Sequence, residues 1–427
     1  MRKRTGALLV AVVAAVAAAG CDLDLQNPNA VTSEEVRTAD GIVSLAVGMQ
    51  GQYATSVAAF VRAPALVTDE WGTNTQSLIS YQSLFTGENF DDGYAVVEAP
   101  FASAYRVVAS ANELIEYAPE VGLEAGTATG IVALARLFKA MALGAAVQQY
   151  ERVPVHIAVE SPAPQPREVV LDSVMALLAS AESAVDGLTD DDLTTLENRV
   201  LGDGFDLRNT VRAMRARFAL MAGDHAGAIA AAERVDLGVL SVLSYAAPSV
   251  NPIWNITFNS LYVAPLASFV DEAEPGDGRV DYWVDTGAEP AIGNPDSLLL
   301  PTARYTDPQD PFPVYLPDEM RLIRAEAHAR EGRYPEAARL LNDVRTQTSS
   351  GVDEPVAGLD EIPEDELDTE AELLEQIAHE RRYELFMQGL RWEDVRRFGA
   401  AATTEPTFDF LPLPRQECVA NPGEPCS

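Results

Sequence analysis

Residues 380–399, ERRYELFMQGLRWEDVRRFG, crowd acids and bases among large apolar side chains. Carboxylates beside arginines could do acid–base work, and a pair of acids could hydrolyse a glycoside. The apolar residues argue otherwise. Tyr383, Phe386, Met387 and Leu390 fall at helical spacing and form one stripe, which Leu385, Trp392 and Val395 widen. A helix buried on more than one side must pair its charges or carry them to a rim. Glu380 and Glu384 are expected to pair with Arg381, Arg382 or Arg391. Gly389 would cost about 1 kcal/mol inside a helix relative to Ala, so it marks a junction between two helices. The segment reads as a brace.

No other catalytic pattern competes. His156, His225, His328 and His379 are scattered, and none stands at metal-ligand spacing. There is no Gly-x-Ser-x-Gly and no Cys-x-x-Cys. Acid pairs carry no information among 65 acidic residues. No catalytic residue, metal or cofactor is expected.

The elements that would position a site can be read from the rest of the chain. Hydrophobic residues make up 47% of it, enough for a large core. The net charge of −35 opposes binding to nucleic acid or to anionic lipid. Arg2, Lys3 and Arg4 precede an apolar run that ends in Ala18-Ala19-Gly20-Cys21. This looks like a bacterial lipoprotein signal: residues 1–20 are the signal peptide and Cys21 is the lipidation site. Several acyl chains there would anchor stably, and no second long apolar run follows. Residues 21–34 form a polar tether leading to a helix capped near Thr32 or Ser33. Cys418 and Cys426 flank a turn-rich stretch and are expected to form a short-loop disulfide in an oxidising compartment.

Residues 35–235 are helical in pattern, with candidate helices at 100–118, 129–150 and 167–188. Residues 216–235 align with 325–344: Gly223 matches Gly332, Ala228 matches Ala337 and Val235 matches Val344. That is the helix-turn-helix logic of tetratricopeptide repeats, too few here for a free solenoid. Residues 236–312 lose helical periodicity and gather Pro, Gly, Asn and aromatics, which predicts an ordered, loop-rich insertion with short strands. Residues 313–427 return to helix. Within them, 351–370 carry acids among Gly and Pro without a calcium-loop pattern, and read as a solvated loop. The fold class is mostly α: tetratricopeptide-like helix pairs in a single large helical domain, with a partly β insertion carrying the ligand face.

The late motifs resemble the SusD/RagB family of outer-membrane nutrient-uptake lipoproteins. They are Glu380, Arg381, Glu384 and Leu385, then Gly389, Arg391, Trp392 and Asp394. An Ala325-Glu326-Ala327 helix leads to Asn342 and Arg345, and Leu411, Pro412, Pro414, Glu417 and Asn421-Pro422 close the set. Asp277 and Arg279 stand where the family has Asp-x-Arg, and Gln388 stands where it usually has Glu. The resemblance covers essentially the whole chain. It implies a non-enzymatic surface protein, lipid-anchored at the outer membrane and facing the exterior. Such a protein captures a glycan, or a peptide, for a SusC-like TonB-dependent transporter.

A sugar would need flat aromatic faces and amide or carboxylate partners on loops. The candidates are Trp71, Asn74, Asp69 and the neighbouring Glu70 in the first loop, with Trp254, Asn255, Tyr282 and Trp283 in the insertion. Trp392 belongs to the core. Two other readings stand beside this one: a periplasmic tetratricopeptide-type scaffold for protein partners, and a lipid-anchored hydrolase.

Overall fold

The computed structural model describes residues 37–157, 162–294 and 296–421. Cys21, Thr32, Ser33, Pro422 and Cys426 lie outside the described residues. Helix α1 (Ala39–Val67) starts at Thr38, whose hydroxyl accepts the Gly41 N–H at 3.0 Å. A short strand β1 (Trp71–Thr73) and helix α2 (Ile79–Thr86) follow. The three expected helices are α3 (Ala95–Tyr117), α4 (Ala125–Gln149) and α5 (Arg167–Asp186). Helix α4 is apolar all round and packs against α1, α3 and α5. It is long and apolar enough to cross a membrane, but 89% of its apolar window is buried inside the protein, where it is the central post. Strands β2 (Arg152–Val153) and β3 (Gln165–Pro166) pair at its end, and α6 (Asp190–Arg199) closes this half with a Thr189–Asp192 capping box.

The repeated segments fold as helix pairs. Helix α7 (Leu207–Met221) turns at Gly223 into α8 (His225–Ala232). Strand β4 (Val242–Leu243), α9 (Pro252–Trp254) with a continuing π-turn (Asn255–Asn259), and β5 (Val263–Pro265) come next. Then follow α10 (Ser268–Asp271), α11 (Gly278–Trp283), β6 (Ala291–Ile292), β7 (Leu298–Leu299) and β8 (Phe312–Pro313). The second pair is α12 (Pro317–Arg330) and α13 (Tyr334–Arg345), turning at Gly332. Ala228 and Ala337 are buried where the helices approach, and α8 packs on α12, so the two pairs stack. The chain ends with α14 (Glu370–Glu384), α15 (Arg391–Phe398) and α16 (Arg415–Ala420).

The described strands form four separate two-stranded antiparallel pairs: β1–β5, β2–β3, β4–β8 and β6–β7. They are staples that tie loops to the helical body. One sequence expectation needs revision. Residues 351–370 are not simply solvated: Glu354, Ala357 and Leu367 are buried, the last beneath the α12–α15 cluster. Gly389 lies at a junction between two helices, α14 and α15, rather than at a kink within one. Both Met387 and Gly389 take positive φ, at 60° and 73°.

Gly389 is a place where the fold leaves no room for a side chain. A Cβ there would lie 3.2 Å from the Phe60 carbonyl oxygen and 3.2 Å from Val61 Cα, in backbone that cannot easily move. Gly332 has the same φ of 73° with nothing within 4 Å. Gly332→Ala should therefore cost the left-handed penalty alone, about 1–2 kcal/mol. Gly389→Ala should cost clearly more. Denaturant unfolding of both variants checks this, and equal losses would refute the steric part.

Candidate functional site

The charged segment is a network of fixed ion pairs. Arg279, on α11, grips Asp277 with Nε and Nη2, at 2.9 and 2.7 Å, and donates Nη1 to Glu380 at 2.6 Å. Arg345 takes the other Glu380 oxygen at 2.8 Å and also binds Glu274. Arg381 makes a two-pronged contact with Asp394, at 2.9 Å for each bond. Arg397 bridges Asp394 and Glu326, and Arg330 adds a 2.9 Å bond to Glu326. These planar forks match carboxylate geometry. For Glu326 and Asp394 burial alone would raise the pKa, but the arginines outweigh it and hold both carboxyls below their usual range. The expected pairing is only partly right. Glu380 reaches across to Arg279 and Arg345 rather than to its own helix, and Glu384 accepts no hydrogen bond. Trp392 is in the core, its indole N–H on the Phe408 carbonyl at 2.8 Å.

One of the candidate ligand residues belongs to this network. Asp69 accepts Arg391 through Nε and Nη2 at 2.8 and 2.9 Å and lies 2.9 Å from Arg382 Nε. Burial pushes its pKa up, the two arginines pull it further down, and the net shift is downward. Its neighbour Glu70 has no such partner. One oxygen accepts the Met387 N–H at 3.2 Å, and burial raises its pKa to about 8.

Trp71 and Trp283 are both 0% exposed, so neither offers a face to a ligand. Trp71 is held by β1, where it stands opposite Pro265. The Trp283 indole donates to the Tyr383 carbonyl at 2.9 Å, beneath α14. Neither ring stands on a loop: Trp71 opens β1 and Trp283 ends α11, and both rings are turned into the core. Tyr282 is half-buried edge-on against Trp283 and points its hydroxyl at Asp353, at 3.2 Å. Trp254 is half-buried against the core, and Asn255 bonds Asn259 at 3.0 Å. Asn74 is half-buried, and its amide locks the loop, donating to the Leu261 carbonyl and accepting the Gln76 N–H.

That lock defines a different surface. Asn74 and Ser77 tie the first loop to Leu261 and Tyr262, and Thr73 donates to the Asn294 carbonyl at 2.8 Å. The Asn294 amide reaches Gln82 at 2.7 Å. Three segments are thereby joined, and they display Leu78, Ile79, Phe258, Leu261, Ile292 and Leu298 as exposed apolar side chains. Ile79 is 70%, Ile292 69% and Phe258 45% exposed. The same segments carry the amides of Asn74, Gln76, Gln82 and Asn294.

The charge pattern here is unlike the rest of the chain. Residues 71–87 contain no Asp, Glu, Lys or Arg, and neither do residues 237–270; residues 290–303 contain only Asp296. A chain of net charge −35 therefore presents three segments nearly free of charge, with the exposed Asp296 in the turn of the hairpin as their single acid. A search for aromatic residues misses them. The near absence of charge was visible in the sequence and is the signal that would have found them.

Comparison with known proteins agrees with this architecture. The SusD family model matches residues 309–421. No curated protein matches the sequence. Among solved structures, a SusD superfamily protein from Bacteroides vulgatus is similar at 14% identity with a TM-score of 0.70, over 91% of this chain and 98% of that one. A structure described as a SusD-like carbohydrate binding protein from the same organism shares 16% identity and a TM-score of 0.67, covering 84% and 83%. NanU of Bacteroides fragilis shares 14% identity and a TM-score of 0.68, covering 94% and 99%. The SusD family model thus matches the C-terminal helices, and the chain shares the fold of SusD-like structures along nearly its whole length.

Proposed function

We propose that the chain is a non-catalytic, lipid-anchored outer-membrane protein that captures a neutral nutrient outside the cell. It passes that nutrient to a SusC-like TonB-dependent transporter. The observation that carries this reading is the nearly uncharged face on an otherwise strongly acidic protein. A glycan suits it, because amides and hydroxyls answer sugar hydroxyls, while Phe258 and the aliphatic side chains answer C–H surfaces. The ion pairs around α14 and α15 support the non-catalytic part, since they fix most of the acids and bases that chemistry would need. The resemblance to the SusD/RagB family supports a transporter partner, and a similar solved structure from Bacteroides vulgatus is described as a SusD-like carbohydrate binding protein.

The test is calorimetric titration of the mature protein with neutral oligosaccharides and peptides, joined to purification of the native complex. A neutral oligosaccharide should bind, and a SusC-like transporter should co-purify. Phe258→Ala should weaken binding at least tenfold, about 1.4 kcal/mol, without loss of fold, because the ring is exposed. Binding only of peptides would overturn the glycan assignment. Equal affinity for wild type and Phe258→Ala would move the site off this face. Absence of any transporter from the native complex would sink the delivery role.

A further inference from the structure

Three carboxylates from separate segments meet in the interior: Asp318 in the first turn of α12, Glu354 in the loop after α13, and Glu384 at the end of α14. Each contributes an oxygen, and these oxygens lie within 4.8 Å of one another. All three residues are buried, Glu354 at 7% and Glu384 at 0% exposure. Arg321 takes Oδ1 of Asp318, while Oδ2 accepts nothing. Glu354 accepts from Ser350 at 2.6 Å, from Gln347 at 3.3 Å and from the Asp318 N–H at 3.2 Å.

Glu384 is the anomaly. Neither of its oxygens accepts a hydrogen bond. The nearest cation is Arg279 Nη1 at 3.8 Å, and that guanidinium is committed to Asp277 and Glu380 at 2.7 and 2.6 Å. A wholly buried carboxylate without a donor costs several kcal/mol unless something else sits beside it. The unmet oxygens of Glu384 and Asp318 point to a missing partner of positive charge. Oxygens bound to one calcium ion at 2.3–2.6 Å lie within about 5 Å of one another, and these three meet that bound. Magnesium demands shorter bonds in a near-ideal octahedron.

We propose that Asp318, Glu354 and Glu384 bind a calcium ion, which clamps the 346–369 loop to the stacked helix pair and to the brace. Three carboxylates against Arg321 and a shared Arg279 leave a local negative excess that a divalent cation offsets. Burial also raises the pKa values of Glu354 and Glu384, so a proton competes with a cation for the cluster. The competing account is that such a proton is the only occupant.

The experiment uses the full mature chain after treatment with a chelator. Titration with Ca2+ should show one tight equivalent. The Tm should rise with CaCl2 and fall back with EGTA, and MgCl2 at the same concentration should raise it less. Glu354→Gln should lower calcium affinity at least about 10–100-fold, the range that loss of even a supporting partner costs. Glu361→Gln, at an exposed acid of the same loop, should leave calcium affinity unchanged. If wild-type protein takes up no calcium and its Tm ignores CaCl2 and EGTA, the proton account holds and the site is refuted. A larger effect of Glu361→Gln than of Glu354→Gln would place binding on the acidic surface and refute it too. An equal or larger magnesium shift would overturn the assignment to calcium.

Discussion

Arg279→Met is expected to destabilise the fold by about 3–5 kcal/mol, or to prevent folding, because removing one partner strands the others as buried charges. The Arg279 side chain has no exposure, and neither do those of Asp277, Glu380 and Glu384. Arg345 would still hold one oxygen of Glu380, but Asp277 would lose its whole counter-charge and keep only its cap on the Arg279 N–H. Arg279→Lys keeps the charge without the fork, so its loss should be smaller than that of Arg279→Met. Lowering the pH should recover part of the Arg279→Met loss, because protonating the stranded acids removes their charge. Denaturant unfolding of both variants at two pH values is the measurement. A loss below about 1 kcal/mol for Arg279→Met would show that these charges are solvated or neutral already.

Glu70→Gln should do the reverse and stabilise the protein at alkaline pH. The carboxyl is buried, and its pKa is raised from 4.5 to about 8, first by burial and then by the nearby Asp69. Arg391 and the bond from the Met387 N–H pull it back, and Asp394 pushes it up again. Below about pH 4.5 the group is protonated in both folded and unfolded chains. Between pH 4.5 and 8 the unfolded chain releases the proton and the folded chain keeps it. Stability therefore falls as pH rises, by up to about 1.4 kcal/mol per unit and on the order of 5 kcal/mol across the window. Asp69, Glu326 and Asp394 work in the opposite sense: their lowered pKa values contribute stability that is lost only as pH falls through them. Gln can still accept the Met387 N–H and has no charge to lose. Its advantage over wild type should grow between pH 6 and 9 in unfolding experiments. Parallel pH profiles would mean that Glu70 ionises freely in the fold.

The helical scaffold was legible because its signals are local. Spacing of apolar residues placed α3, α4 and α5, and the matched Gly223 and Gly332 placed both helix pairs. The motif at 380–399 was legible as a brace because a stripe that wide leaves its charges nowhere to go but into pairs. What escaped was the choice of partners. Glu380 pairs with Arg279 and Arg345, and Asp69 with Arg391, contacts that no periodicity encodes. The candidate ligand residues failed for a related reason. Trp71 lies in a polar segment, yet three residues of pairing between β1 and β5 turn its indole into the core. A tryptophan in such a segment has more area to gain by burial than by display, so exposure has to be read from the absence of charge around it.

Asp69 lies just after the first helix, yet both its counter-charges, Arg382 and Arg391, sit near the far end of the chain. Thr407 and Leu411 likewise donate their N–H groups to the carbonyls of Val67 and Gln149, closing the ends of α1 and α4 from the tail. Contacts of such long sequence separation make folding slow, since the intervening chain must be ordered before they form. A growing chain of this design cannot finish its core until its final segment has been synthesised. Its native state is thus withheld from every truncated intermediate.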